Sequence, residues 1–168
     1  PGFRMHVCPS IGLPRNVAAP VMEMLFPNGK SGRIPIIALT GTNGKTTTTR
    51  LIAHIYRQTG QVVGYTTTDG IYIDEHVVEK GDTTGPQSAQ VILKDPTVEV
   101  AVLETARGGI LRSGLAFESC DVGVVLNVSA DHLGLGDIDS IEQMARVKSV
   151  VVESVSPNGY AVLNADDP

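Results

Sequence analysis

A chain of 168 residues, 42% of them apolar, is long enough to close one hydrophobic core and short for two. A net charge of −5 speaks against a nucleic-acid or anionic-membrane partner, and no apolar run approaches the length of a bilayer span. Cys8 and Cys120 stand far apart without a C-x-x-C pair, so two free thiols in a reducing cytoplasm are the expectation.

Residues 1–33 have the composition of a linker, with Pro1, Pro9, Pro14, Pro20 and Pro27 interspersed with Gly2, Gly12, Gly29 and Gly32. The opening Pro1-Gly2-Phe3-Arg4 is neither an initiator Met nor a signal peptide, and reads as a piece of a longer protein. Asn16 to Leu25 can hold one short helix, with Asn16 as its cap and Val17, Val21, Met24 and Leu25 on one side. Pro27-Asn28-Gly29 then turns the chain. His6 and Cys8 are metal-ligating types, but two ligands do not make a site.

Ile34 to Leu39 is short and β-branched enough for a buried strand, and Thr48 to Gln58 carries Leu51, Ile52, Ile55 and Tyr56 at helical spacing. Between them lies Thr40-Gly41-Thr42-Asn43-Gly44-Lys45-Thr46-Thr47, a strand-to-helix turn of the G-x-x-G-K-[ST] form. Glycines let the backbone bend around a phosphate, and the N–H groups at the helix start face the anion. Lys45 would reach the β- and γ-phosphates, and the Thr46 hydroxyl would ligate Mg²⁺. Residues 41–47 are thus the candidate phosphate-binding site, which the resemblance given below makes one for ATP.

Further along, Gly60 ends the helix and Val62 to Thr66 forms a second strand; 71–73 and 76–78 make a small hairpin around Asp74-Glu75. Gly81 to Pro86, containing Thr83 and Thr84, is a polar turn before a short helix at 87–94. Val98 to Leu103 is a strand ending in Glu104, which places an acid beside a P-loop metal about sixty residues after the loop. Arg107-Gly108-Gly109-Ile110-Leu111-Arg112-Ser113-Gly114 is either a carboxylate-binding loop or a flexible connection with solvated arginines. Val122 to Val128 is another buried strand that delivers Asn127 and then Asp131-His132 into a glycine-containing loop. Ligands in a parallel α/β sheet sit beyond the carboxyl ends of its strands, so Thr40, Glu104 and 127–132 should share one crevice. His132 is then a metal-ligand candidate.

In the last helix, Asp139 or Ser140 is the cap, with Glu142 or Gln143 completing a capping box. Its apolar stripe is Ile141, Met144, Ala145, Val151, Val152 and Val155, and Lys148 falls in the middle of it. A lysine on a core face must be paired, shifted or modified, unless it snorkels past the helix edge. Tyr160 to Leu163 closes the sheet. The fold class is α/β: a P-loop-type, mostly parallel sheet with helices on both faces and a small hairpin insertion.

The P-loop octet, the acid at Glu104, Asn127 four residues before Asp131-His132, Lys148 sixteen beyond that histidine and the closing Asn164-Ala165-Asp166-Asp167-Pro168 together resemble the Mur ligase superfamily of ATP-dependent amide ligases. The resemblance implies Mg²⁺ at Thr46 and Glu104, a second Mg²⁺ near His132, and an adenine contact from Asn127. It also implies catalytic parts for Lys45, His132 and Lys148, the last often carbamylated in that family. Residues 34–168 would be an incomplete central ATP-binding domain, lacking a lid. Closer still, 104–112, 82–86 and Phe3-Arg4-Met5-His6 resemble the cyanophycin synthetase family. That likeness implies an ATP-grasp part earlier in the chain, polyaspartate-type peptide and arginine as substrates, and a substrate site at Thr83, Thr84, Arg107, Gly108, Gly109 and Arg112. A homo-oligomer is compatible with it. Two other readings stay open: a ligase of peptidoglycan or folylpolyglutamate type acting on another carboxylate, and a regulatory GTPase. The second would need Asn-Lys-x-Asp, whereas 127–131 lacks the lysine and is one residue too long.

Overall fold

Two strands, β1 (Ile36–Thr40) and β5 (Val100–Glu104), are buried at all five positions, as continuous β-branched runs require when a parallel sheet is covered on both faces. The structure is a computed structural model that describes residues 11–13, 16–29, 31–130, 134 and 138–167. The chain divides into two units, residues 1–33 and 34–168.

In the first unit, α1 (Ala18–Leu25) has no buried residue, and the Ala19 N–H donates to Asn16 Oδ1 at 3.1 Å. Asn28, at φ +59°, makes the turn that follows. His6 and Cys8 lie outside the described residues.

In the second unit, seven strands stand in the order β4-β3-β2-β5-β1-β6-β7. They are β2 (Val63–Thr67), β3 (Gly70–Ile73), β4 (His76–Lys80), β6 (Cys120–Val125) and β7 (Val155–Leu163), with β1 and β5 at the centre. β2, β5, β1, β6 and β7 run parallel, while β3 runs antiparallel to β2 and β4 antiparallel to β3. The hairpin expected as an insertion is continuous with the main sheet, because β3 pairs with β2 from Gly64–Ile73 to Thr67–Gly70. One face packs Ile37, Leu39, Val100 and Val102 against α2 (Lys45–Arg57) through Ala53. The other packs Ala38, Ala101 and Leu103 against α3 (Pro86–Lys94) and α5 (Ile141–Glu153) through Ile92 and Val151. Helices therefore cover both faces. Each fully buried Leu or Val contributes on the order of 1.5–3 kcal/mol.

Three local readings are corrected. Of the stripe expected on α2, Ile52 and Tyr56 pack half-buried against the sheet beside the fully buried Thr49 and Ala53, while Leu51 and Ile55 are exposed. The helix begins at Lys45, fixed by the loop, and that phase turns small residues toward the sheet. The stripe of α5 stops short of Val155, which already belongs to β7, and Ile141 is exposed; Met144, Lys148 and Val151 are its buried positions. Ser140 is the cap, its hydroxyl accepting from Gln143 N at 3.2 Å in a complete capping box worth about 1 kcal/mol.

The third correction concerns 107–114, expected as a loop. Residues Arg107–Ser113 form a helix, α4. Two glycines hide it from propensity, yet Gly109 is there for space: a Cβ would lie 3.1 Å from the Thr84 carbonyl oxygen and 3.2 Å from Gly85 Cα. At Gly108 a Cβ would meet only the Arg112 guanidinium, at 3.5 Å. Gly108→Ala should therefore stabilise by about 0.5–1 kcal/mol through helix propensity. Gly109→Ala should melt below it by the equivalent of about 1 kcal/mol or more, since backbone cannot swing aside. Equal thermal shifts in the two variants would contradict this packing.

Candidate functional site

The carboxyl ends of β1, β5, β2 and β6 lie along one edge of the sheet, and the site is built there. Gly44, at φ +82°, takes a left-handed conformation that only glycine adopts freely, and α2 starts at the next residue. No side chain caps that helix, so its first-turn N–H groups are available to an anion. The Lys45 ammonium folds back onto the loop, donating to the Gly41 and Thr42 carbonyls at 3.0 Å each. It is thus held at the mouth of the cradle until a stronger acceptor replaces those carbonyls.

Glu104 arrives by register: Leu39 pairs with it across β1 and β5, which sets its side chain on the α2 face of the sheet. Only 1% of it is exposed. Its Oε2 accepts from Thr46 Oγ1 at 2.9 Å, and Thr46 Oγ1 lies 3.1 Å from Thr68 Oγ1. Its Oε1 has no hydrogen-bond partner. Burial pushes the carboxyl above its ordinary value, opposed by the Thr46 hydrogen bond and the charge of Lys45. A buried acceptor oxygen left over beside a hydroxyl is a hard-oxygen pair that suits Mg²⁺, with phosphate oxygens and water completing the shell. Among the described residues no three His, Cys, Asp or Glu side chains gather to hold an ion by themselves.

A cleft of about 300 Å³ runs from Gly41, Thr42 and Lys45 past Thr68, Asp82 and Thr84 to Ala106, Arg107 and Gly108, with Met144 and Lys148 also lining it. Lys148 is 4% exposed and its Nζ lies 3.5 Å from Thr42 Oγ1, so the helix phase expected of it is observed. A second cleft, of about 240 Å³, shares Asp82 and Thr84 with the first and adds Gly109 and Arg112 beside the start of α3. Thr84 Oγ1 donates to Asp82 Oδ1 at 2.7 Å. Thr83 is buried beneath them, its hydroxyl donating to the Thr67 carbonyl at 2.7 Å.

Asn127 also reaches the loop, with its side chain bonded to the backbone of Thr42 and Asn43. His132 lies outside the described residues, as does Asp131. The sequence reading missed Thr68 and Asp82. The rule that placed Glu104 could have found Thr68, since it follows the carboxyl end of β2; Asp82 sits in a polar turn whose only signal is the family likeness of 82–86.

The family model of the Mur ligase middle domain matches residues 39–168. The chain belongs to the Mur ligase family. It is 81% identical over its whole length to a cyanophycin synthetase of Synechocystis sp. (strain ATCC 27184 / PCC 6803 / Kazusa), and spans 19% of that relative. A UDP-N-acetylmuramoyl-L-alanyl-D-glutamate–2,6-diaminopimelate ligase of Chlamydia felis (strain Fe/C-56) is 32% identical over 148 residues, 84% of this chain and 30% of that one. Among solved structures, a UDP-N-acetylmuramoyl-L-alanyl-D-glutamate–2,6-diaminopimelate ligase superposes with a TM-score of 0.60 at 31% identity, covering 80% of this chain and 27% of that chain. An FPGS–AMPPCP complex gives a TM-score of 0.61 at 23% identity, over 78% of this chain and 40% of that one, and shares the fold. This Mur ligase segment has an ATP-dependent ligase's architecture, and none of its described helices is long and apolar enough to cross a membrane.

Glu104→Gln tests the metal assignment. Without Mg²⁺ the variant should melt no lower than the wild type, because a carboxyl whose charged form burial disfavours is replaced by a neutral amide of the same shape. The extra thermal stabilisation that Mg²⁺ gives in the presence of ATP should disappear. Its persistence in Glu104→Gln would remove Glu104 from the metal site.

Proposed function

We propose that this segment holds ATP and activates a carboxylate in a cytoplasmic amide ligase that joins arginine to aspartate side chains of a polyaspartate-type peptide. The observation that carries the proposal is the buried Glu104, hydrogen-bonded to Thr46 and with one oxygen unpartnered, at the foot of a P-loop cleft. Identity of 81% to a cyanophycin synthetase supports the substrate pair, and the AMPPCP of the FPGS complex supports the nucleotide.

ATP would lie with its phosphates along residues 41–47, and Lys45 would exchange the Gly41 and Thr42 carbonyls for phosphate oxygens. Mg²⁺, held by Thr46 Oγ1 and Glu104, would neutralise charge on those oxygens. An aspartate carboxylate oxygen attacks the γ-phosphorus and ADP leaves. The amine of arginine then attacks the acyl phosphate, and phosphate leaves as the amide forms. Arg107 and Arg112 suit the carboxylates of an acidic peptide, which guanidinium pairs bidentately. Asp82, on the shared wall of the two clefts, offers a carboxylate to the guanidinium of the incoming amino acid. Thr84, Gly108 and Gly109 shape that wall, with Thr83 supporting it from below. Lys148 faces the same cleft; carbamylated, it would join His132 in holding a second Mg²⁺. ATP-grasp and lid segments of the longer chain would supply the peptide and close over the nucleotide.

In the full-length chain, Lys45→Ala should lower arginine-dependent ADP formation on the order of 10²–10³-fold and abolish stabilisation by ATP, with the nucleotide-free melting temperature little changed. Arg112→Ala should raise KM for the peptide more than it lowers kcat. Equal ATP stabilisation in wild type and Lys45→Ala would overturn the proposal.

A further inference from the structure

Asn127 binds the P-loop with both the oxygen and the nitrogen of its amide group. Its Oδ1 accepts from the N–H of Thr42 at 3.0 Å and of Asn43 at 2.9 Å, and its Nδ2 donates to the Asn43 carbonyl at 3.1 Å. The Asn127 main-chain carbonyl accepts from the same Thr42 N–H at 3.0 Å. Two residues on, the Ser129 N–H donates to Thr42 Oγ1 at 3.0 Å. The strand end is fixed in turn, since the Val128 N–H donates to Asp167 Oδ2 at 2.6 Å.

We infer that Asn127 is a latch on the P-loop, a positioning residue that sets the loop for phosphate, and not a reader of the nucleotide base. The inference rests on the nucleotide site proposed above. A side-chain amide offers two donors and two acceptor lone pairs. Both lone pairs of Oδ1 are engaged by Thr42 and Asn43, and one of the two donors by the Asn43 carbonyl. Bidentate reading of an adenine edge needs a donor and an acceptor together, and here the acceptor is committed. The same bonds withdraw the Thr42 and Asn43 N–H groups from phosphate. The cradle therefore consists of the N–H groups from Gly44 onward with the Lys45 ammonium. The loop that carries them is held from the segment that follows β6, across a sequence separation of more than 80 residues.

The test compares wild type and Asn127→Ala in the full-length chain, measuring affinity for ATP, GTP and inorganic tripolyphosphate, each with Mg²⁺. A latch predicts that all three weaken by a similar factor, roughly tenfold or more, with the ATP-to-GTP preference unchanged. Unchanged tripolyphosphate affinity with a lost ATP preference would make Asn127 a base reader and overturn the inference. A merely structural defect would lower the melting temperature without moving tripolyphosphate affinity in the folded protein, and overturns it as well. Hydrogen exchange at the Thr42 and Asn43 amides of the nucleotide-free wild type decides the matter if the variant does not fold. Slow exchange supports the latch, and exchange at the rate of an open coil refutes it. Failure of the wild type to bind ATP at all would sink the nucleotide reading separately, leaving the exchange measurement to judge the latch.

Discussion

Glu104 sits in a place where a charge is costly. It lies at the end of a strand buried on both faces, with one oxygen held by Thr46 and the other without a partner. Desolvation raises its proton affinity, and in a low-dielectric interior a group so placed either takes a proton or takes a cation. The surrounding structure is consistent with the second. The β1–β5 register brings Glu104 beside Leu39, one residue before the P-loop begins to form. The start of α2 at Lys45 then sets the Thr46 hydroxyl against the carboxylate. A shift of one residue in that pairing would turn Glu104 to the opposite face of the sheet and dissolve the site.

Around this centre the loop is braced from both sides. Lys45 closes it from within by bonding the loop's carbonyls, while Asn127 and Ser129 hold it from the segment after β6 and Lys148 approaches Thr42 from α5. A phosphate cradle arranged before its ligand arrives loses less conformational entropy on binding. Elements far apart in sequence thus converge on Thr42 and its neighbours in the loop. The second cleft shares Asp82 and Thr84 with the first, so the two lie side by side along this edge of the sheet.

What sequence could reveal divides along local and non-local physics. β1, β5 and the P-loop were legible because β-branched runs and a glycine turn write their structure locally. Lys148 was legible because helical period alone puts it with Met144 and Val151. The face of α2 was half legible: Ile52 and Tyr56 pack on the sheet as expected, but the loop fixes a phase that brings Thr49 and Ala53 inward and leaves Leu51 and Ile55 exposed. α4 was hidden because Gly108 and Gly109 lower helix propensity, and the reason for Gly109 is the Thr84 carbonyl on another segment. The bonds of Asn127 could not be read from spacing at all, since an amide's partners are settled by tertiary geometry. His132 falls outside the described residues, and its part in the site remains an expectation from the family.

The central claim is that the loop and Glu104 direct chemistry to the γ-phosphate, giving an acyl phosphate. An isotope experiment on the full-length chain addresses it directly. A polyaspartate-type peptide carrying ¹⁸O in its side-chain carboxylates would be incubated with ATP, Mg²⁺ and arginine, and the released phosphate and nucleotide analysed by mass spectrometry. The account predicts ADP as the nucleotide product and one ¹⁸O transferred to inorganic phosphate for each amide formed. Label in AMP, or ligation with unlabelled phosphate, would contradict it.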